Sequence, residues 1–194
     1  MSSRIECFWL EPTELGKSEL RRYEKHSYDP MPPPSCPSNP MHYHDTSVDI
    51  GEIPYPFTPD GLTGYGRDDI PHDDSRWPTV CVCCGAPFLD EDYWQHNVHR
   101  LYKGSPDGKL YTLRNCPPGA MYDASWYPEK GPDGVALMVA LPPGGGDDFW
   151  HVDGPAKGGG KWTRTGTPPK ITARPSILTP KYHGFLTDGF LVEC

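Results

Sequence analysis

The sequence predicts a mostly β protein: a small antiparallel β-rich domain with a long irregular Pro/Gly-rich N-terminal arm and little helix. Three observations lead there. Proline and glycine together fill 46 of the 194 positions. Proline removes a backbone donor and glycine raises the entropy lost on ordering, so both shorten regular elements. Between them the apolar residues recur in short alternating runs, the period of a half-buried strand. Turn sequences such as Pro106-Asp107-Gly108 and Pro132-Asp133-Gly134 separate those runs, and their residues favour tight reversals.

Taken in order, Arg4–Leu10 alternates and stops before Pro12, which predicts a short strand, with Glu19–Lys25 as a candidate partner. Ser27–Pro40 contains six prolines, including Pro32-Pro33-Pro34, a polyproline-type spacer that cannot enter the middle of a sheet. Met41–Ile53 alternates again, and Pro54 to Pro78 is irregular. Residues 1–78 therefore read as an extended arm with short strands, and 79–194 as a compact β-rich module with a cysteine cluster. Within the module, strands are expected at Tyr93–Tyr102, Lys109–Arg114, Val135–Leu141, Phe149–Val152, Lys161–Thr165 and Lys170–Leu178. A closing hairpin joins Tyr182–Leu186 to Phe190–Val192 through Thr187-Asp188-Gly189. Helix competes with strand only over Asp90–Leu101, where Tyr93, Val98 and Leu101 fall near one helical face.

The apolar fraction is 36% and aromatics make up 12%, so a small core carried by rings is expected. No apolar run approaches the ~20 residues of a membrane-spanning helix, and Met1–Lys25 lacks the apolar block of a signal peptide. The expectation is a protein without a membrane role that stays in the cytoplasm of the cell making it. Seven cysteines, an odd number without an export signal, favour reduced thiols or metal ligands over a disulfide framework; one intramolecular bridge stays open.

The net charge of −8 hides a segregation. Asp45 to Asp92 holds eleven acids against Arg67 and Arg76, whereas Gly154 to Thr187 holds six bases and no acid. That basic tract, Lys157, Lys161, Arg164, Lys170, Arg174 and Lys181, is interleaved with Trp162, Tyr182 and Phe185. It reads as a solvated loop, as a contact for the acidic segment, or as a surface for phosphates and bases. The acidic balance of the whole chain argues against nucleic acid as the partner.

Cys81-Val82-Cys83-Cys84-Gly85 is the sharpest local signal. Two thiols at C-x2-C spacing, followed by a glycine that lets the backbone turn, form the usual knuckle around tetrahedral zinc. Cys81 and Cys84 with His96 and His99 give the candidate ligand set, and zinc is the cofactor it would take. Both imidazoles converge if 96–99 is helical and diverge if it is a strand. Cys116 is a spare ligand, and buried thiols with surface histidines are the competing reading. His42 and His44 share a side on a strand, but no third ligand for a catalytic metal is apparent. His151 and His183 sit beside aromatics, as structural histidines do. No nucleophile elbow, phosphate loop or H-E-x-x-H helix is present, so the sequence predicts no enzyme.

Several blocks carry a resemblance. They are Arg76-Trp77-Pro78 leading into the cysteines, Thr112-Leu113-Arg114 through Pro117-Pro118-Gly119-Ala120-Met121, Gly131-Pro132-Asp133-Gly134, and Ser176-Ile177-Leu178 to His183-Gly184-Phe185-Leu186. In content and order they resemble a family of uncharacterised proteins from tailed bacteriophages of actinobacteria. Members of that family carry further cysteines between the segments matching His151 and Gly166, where this chain is Gly-rich. The resemblance implies a phage protein and assigns no activity to any residue. Joined to the arm reading, it leads to the expectation of a virion-associated structural protein, a capsid-surface or minor virion component, found in the virion and in host cytoplasm during assembly. Its partners would be other virion proteins or copies of itself, and Trp9, Tyr28, Tyr55, Phe57 and Tyr65 would be the aromatic plugs on the arm. The alternative is a zinc-binding regulatory or nucleic-acid-binding phage protein.

Overall fold

Period-2 alternation becomes strand almost throughout the residues that the computed structural model describes, which are 4–26, 35–38, 43–55, 69–105, 107–155 and 162–194. Among the described residues twelve strands run in chain order: β1 Arg4–Glu6, β2 Phe8–Tyr23, β3 Asp45–Pro54, β4 Tyr93–Gly104, β5 Leu110–Tyr111, β6 Ala120–Asp123, β7 Leu137–Leu141, β8 Gly145–His151, β9 Thr163–Thr167, β10 Lys170–Leu178, β11 His183–Thr187 and β12 Phe190–Glu193. A single 3-10 turn at Leu113–Asn115 is the sole helical element among the described residues. Its first turn is capped by Thr112, whose hydroxyl accepts from the Asn115 amide.

The strands form two sheets. One has the order β1-β12-β11-β10-β9, the other β5-β4-β2-β6-β7-β8 with β3 added on β2. By contacts the chain divides into two compact units, 1–12 with 101–194 and 13–100, the division falling inside β2 and β4.

In the first unit, every neighbouring pair of the five-stranded sheet is antiparallel. The hairpin β11–β12 turns at Asp188 (φ 48°) and Gly189 (φ 76°), the two left-handed residues that match a hairpin's twist. Thr187 pairs with Phe190 across that turn. In the other sheet of this unit, β6–β7–β8 is antiparallel while β6 pairs with Phe8–Trp9 of β2 in parallel. Strand β7 is buried at all five positions. Leu137, Val139 and Leu141 join one core with Trp150, Ile171, Ile177, Leu186 and Leu191, and Met138 and Ala140 join a second with Leu10, Tyr102 and Tyr122. Each fully buried Leu, Ile or Val contributes about 1.5–3 kcal/mol. Gly119 (φ 92°) lies where an added Cβ would meet the Glu6 carbonyl at 2.7 Å, so only glycine lets the chain pass here.

The 13–100 unit is built on β2, β3 and β4. Residues 15–23 of β2 pair antiparallel with Asp45–Pro54, with a register shift between Ser18 and Glu19. Leu20 and Val98 are buried. Arg22 lies 3.6 Å from the Trp94 ring centre and donates to the Leu89 carbonyl at 2.6 Å, and Trp77 meets Trp94 edge-on at 5.1 Å.

The strand expected over Tyr93–Tyr102 forms as Tyr93–Gly104 and the competing helix over Asp90–Leu101 does not; Tyr93, Trp94 and Tyr102 favour a pleated surface. Other expectations are corrected. In place of an N-terminal arm, residues 8–23 form one sixteen-residue strand, passing through Pro12, which is exposed. Glu19–Lys25 does not pair with Arg4–Leu10; Arg4–Glu6 pairs with β12 and residues 19–23 with β3. Most of Ser27–Pro40 and of Pro54–Pro78 lies outside the described residues.

Candidate metal centre

Cys36, His44 and Cys84 converge in the 13–100 unit, each offering a ligand atom within 4.8 Å of the other two. They come from three separate segments: the turn at 35–38, the entry to β3, and the knuckle at 81–85. Cys36 and Cys81 are buried, Phe88 packs with them, and Cys84 lies against the group.

The knuckle follows from its sequence. Gly85 takes φ 76°, and its amide donates to the Cys81 carbonyl at 2.8 Å while the Cys81 amide donates to the Ala86 carbonyl at 2.8 Å. The reversal directs amides onto sulfur. Burial raises the Cys81 thiol, but hydrogen bonds from the amides of Cys83, Cys84 and Asp45 outweigh it and bring it from 9.0 down to about 7. The Cys84 thiol receives the Ala86 amide, which lowers it, yet burial and its contacts with the Cys36 and Cys81 thiols leave it raised. Crowded thiols share protons until a cation replaces them. Thr46 pins the knuckle to β3, its hydroxyl accepting from the Val82 amide at 2.8 Å.

His44 is held for the same task. Its Nε2 is buried with no hydrogen-bond partner among the described residues, an arrangement that costs stability unless something occupies that lone pair. Its Nδ1 lies 3.7 Å from the Glu24 carboxylate. That carboxylate also accepts from the His44 amide at 3.3 Å and from the Ser35 hydroxyl. Glu24 thus ties the Cys36 turn to His44. All seven cysteines are free thiols, so reduced sulfur is on hand for a metal such as zinc.

The sequence-predicted ligands separate. Cys84 belongs to the converging group, and Cys81 packs beside it with Cys36 and Phe88. His96 is engaged elsewhere: its Nε2 lies 2.6 Å from Ser18 Oγ and its Nδ1 3.0 Å from Asp69. His99 Nε2 lies 3.8 Å from Glu19. Residues 96 and 99 have opposite parity on β4, so their side chains leave opposite faces. Cys116 is buried in the first unit, its thiol donating to the Leu113 carbonyl at 3.1 Å. Sequence reasoning missed Cys36 and set His44 beside His42, which lies outside the described residues.

Of the aromatic contacts expected on an arm, Trp9 packs against the core of the first unit. Tyr55 sits at the end of β3 with Arg100 5.0 Å from its ring centre. Tyr28, Phe57 and Tyr65 lie outside the described residues.

Ser18, His96 and Asp69 form a hydroxyl–imidazole–carboxylate relay with the contacts of a hydrolase triad. Ser18, however, is 1% exposed in mid-strand. The relay joins β2, β4 and the segment at Asp69 through hydrogen bonds. An open cavity of about 650 Å³ beside the cluster is lined by Arg21, Tyr23, His26, Tyr43, Asp45 and Gln95 among others. Two pairs of its polar groups satisfy each other: Arg21 clasps Asp45 through Nε at 3.0 Å and Nη2 at 2.5 Å, and Gln95 donates to the Tyr23 hydroxyl at 2.6 Å.

The chain finds no significant match among family models, curated proteins or solved structures. No helix among the described residues is long and apolar enough to cross a membrane.

Proposed function

We propose that this chain is a non-enzymatic, virion-associated structural protein of a tailed bacteriophage, whose 13–100 unit is stapled by zinc and which works by contact with neighbouring virion subunits or copies of itself. The observation that carries the reading is the convergence of Cys36, His44 and Cys84. Residues remote in sequence and rich in Pro and Gly gain from a cross-link what a small core supplies poorly. Support for contact rather than turnover comes from apolar side chains held outward, Val82 (76% exposed), Leu178 (73%), Trp126 (59%) and Leu89 (56%). The phage assignment rests on the sequence blocks around Arg76, Pro117 and His183.

The zinc-dependent nucleic-acid-binding alternative shares the metal but loses part of its contact surface. Arg164 is buried in ion pairs with Asp133 (2.5 Å) and Asp153 (2.8 Å), and Lys181 pairs with Asp148 at 3.1 Å. Lys157 and Lys161 lie outside the described residues. Mass spectrometry and zinc analysis of gradient-purified particles test the proposal. A stoichiometric copy number with one zinc per copy is expected. Abundance in infected cells with absence from particles, together with salt-sensitive binding of the pure protein to DNA or RNA, would replace it with the alternative.

A further inference from the structure

The geometry points to Cys81 as the fourth ligand, which closes a Cys36–His44–Cys81–Cys84 zinc site with Glu24 behind it as the residue that orients His44. This deepens the staple reading and rests on it. Three residues that converge leave zinc one position short. A structural site fills all four with protein, whereas a catalytic site keeps one open, so the fourth group decides what the metal does.

Two thiols compete for that place, since both Cys81 and Cys83 exchange hydrogen bonds with neighbouring sulfurs. Position in the knuckle separates them. Cys81 is 1% exposed and packs with Cys36 and Phe88. Its thiol meets that of Cys84, and the thiols of Cys83 and Cys84 both meet that of Cys36, so burial rather than sulfur contact separates the two candidates. Cys83 is exposed. The amides of Cys83 and Cys84 converge on the Cys81 sulfur and that of Ala86 on Cys84; such donors offset the charge of ligated thiolates. A Cys83 ligand would leave those aimed amides without their anion.

Size is compatible. Ligands about 2.0–2.3 Å from zinc lie about 3.3–3.8 Å from one another in a tetrahedron; Cys36, His44 and Cys84 need only a small inward turn from 4.8 Å, and the Cys81 thiol, beside that group, has to swing toward it. The imidazole presents Nε2 because Nδ1 faces Glu24, the carboxylate–histidine–metal pattern that fixes ring and tautomer. Because Glu24 also accepts from Ser35 beside Cys36 and from the His44 amide, it positions two ligands with one side chain.

The test uses the full chain loaded with zinc and, separately, with Co(II). One metal per chain with a tetrahedral, thiolate-rich cobalt spectrum is expected. Cys81→Ser should lower the sulfur-to-cobalt charge-transfer band by about one third, as three thiolates become two, and Cys83→Ser should leave it unchanged. The reverse pattern overturns the assignment of Cys81 while leaving the staple intact; absence of metal binding by the wild-type chain removes the staple itself. If Cys81→Ser does not fold, alkylation of the zinc-loaded wild-type chain decides. Zinc should shield Cys36, Cys81 and Cys84 while Cys83 and Cys194 react, and equal reaction of Cys81 and Cys83 refutes the inference. Glu24→Gln should weaken zinc binding about 10–100-fold, and an unchanged affinity removes its orienting role.

Discussion

Removing the metal should loosen one unit and spare the other. A cation joining Cys36 to Cys84 closes a loop of about fifty residues, and the chain-entropy relation for a cross-link of that span gives about 4 kcal/mol of stabilisation. Against the 5–15 kcal/mol that a domain commonly has in total, that loss is large. The assay is amide hydrogen exchange read by mass spectrometry on the zinc-loaded chain, the chelated chain and Cys36→Ser. Amides of β3 and the 81–88 segment should lose about 10²–10³-fold in protection, matching 3–4 kcal/mol. Those of β7 and β10, in the other unit, should change little. Equal protection in all three samples would refute the staple argument, and uniform loss across both units would refute its confinement to residues 13–100.

Three further outcomes follow from contacts already described. Arg164→Met leaves the Asp153 carboxylate, 6% exposed, without its cation and should cost about 3–5 kcal/mol in urea unfolding; a loss under about 1 kcal/mol would show that the pair is idle. Ser18→Ala should cost about 1–2 kcal/mol by orphaning His96 Nε2, and a serine-reactive phosphonate should leave Ser18 unmodified; labelling at Ser18 would reopen the relay as a nucleophile. The hydrogen bond with His99 holds Glu19 below its usual 4.5 against the opposing effect of burial. Because the folded value is depressed, its stabilisation is present above pH 4.5 and fades as pH falls through the lower folded value. Glu19→Gln should remove that part of the acid dependence, and an identical pH profile would count against it.

The legible part of the fold was the part with strict alternation and turn chemistry. Lys170–Leu178 and the hairpin about Thr187-Asp188-Gly189 emerge where expected, because inward positions such as Ile171 and Ala173 are apolar and their neighbours Lys170, Thr172 and Arg174 polar. Strand β6 was hidden, since Ala120–Asp123 is short, follows two prolines and is buried at three of its four positions, which erases the period. The length of β2 was hidden by Pro12, a residue that ordinarily ends a strand. At the candidate site, Cys81-x-x-Cys84-Gly85 announced itself because a knuckle is local. Cys36 and His44 did not, since their approach depends on Glu24 bridging Ser35 and His44, a tertiary arrangement without a sequence period.

Strand β1 takes its place beside β12, so Arg4–Glu6 docks on residues that follow it by more than 180 positions. A ribosome has to deliver Phe190–Glu193 before Arg4–Glu6 can find a neighbour, while every group of the thiol–imidazole cluster has by then long since emerged. The order of synthesis therefore favours residues 13–100 settling before β1 can complete the five-stranded sheet.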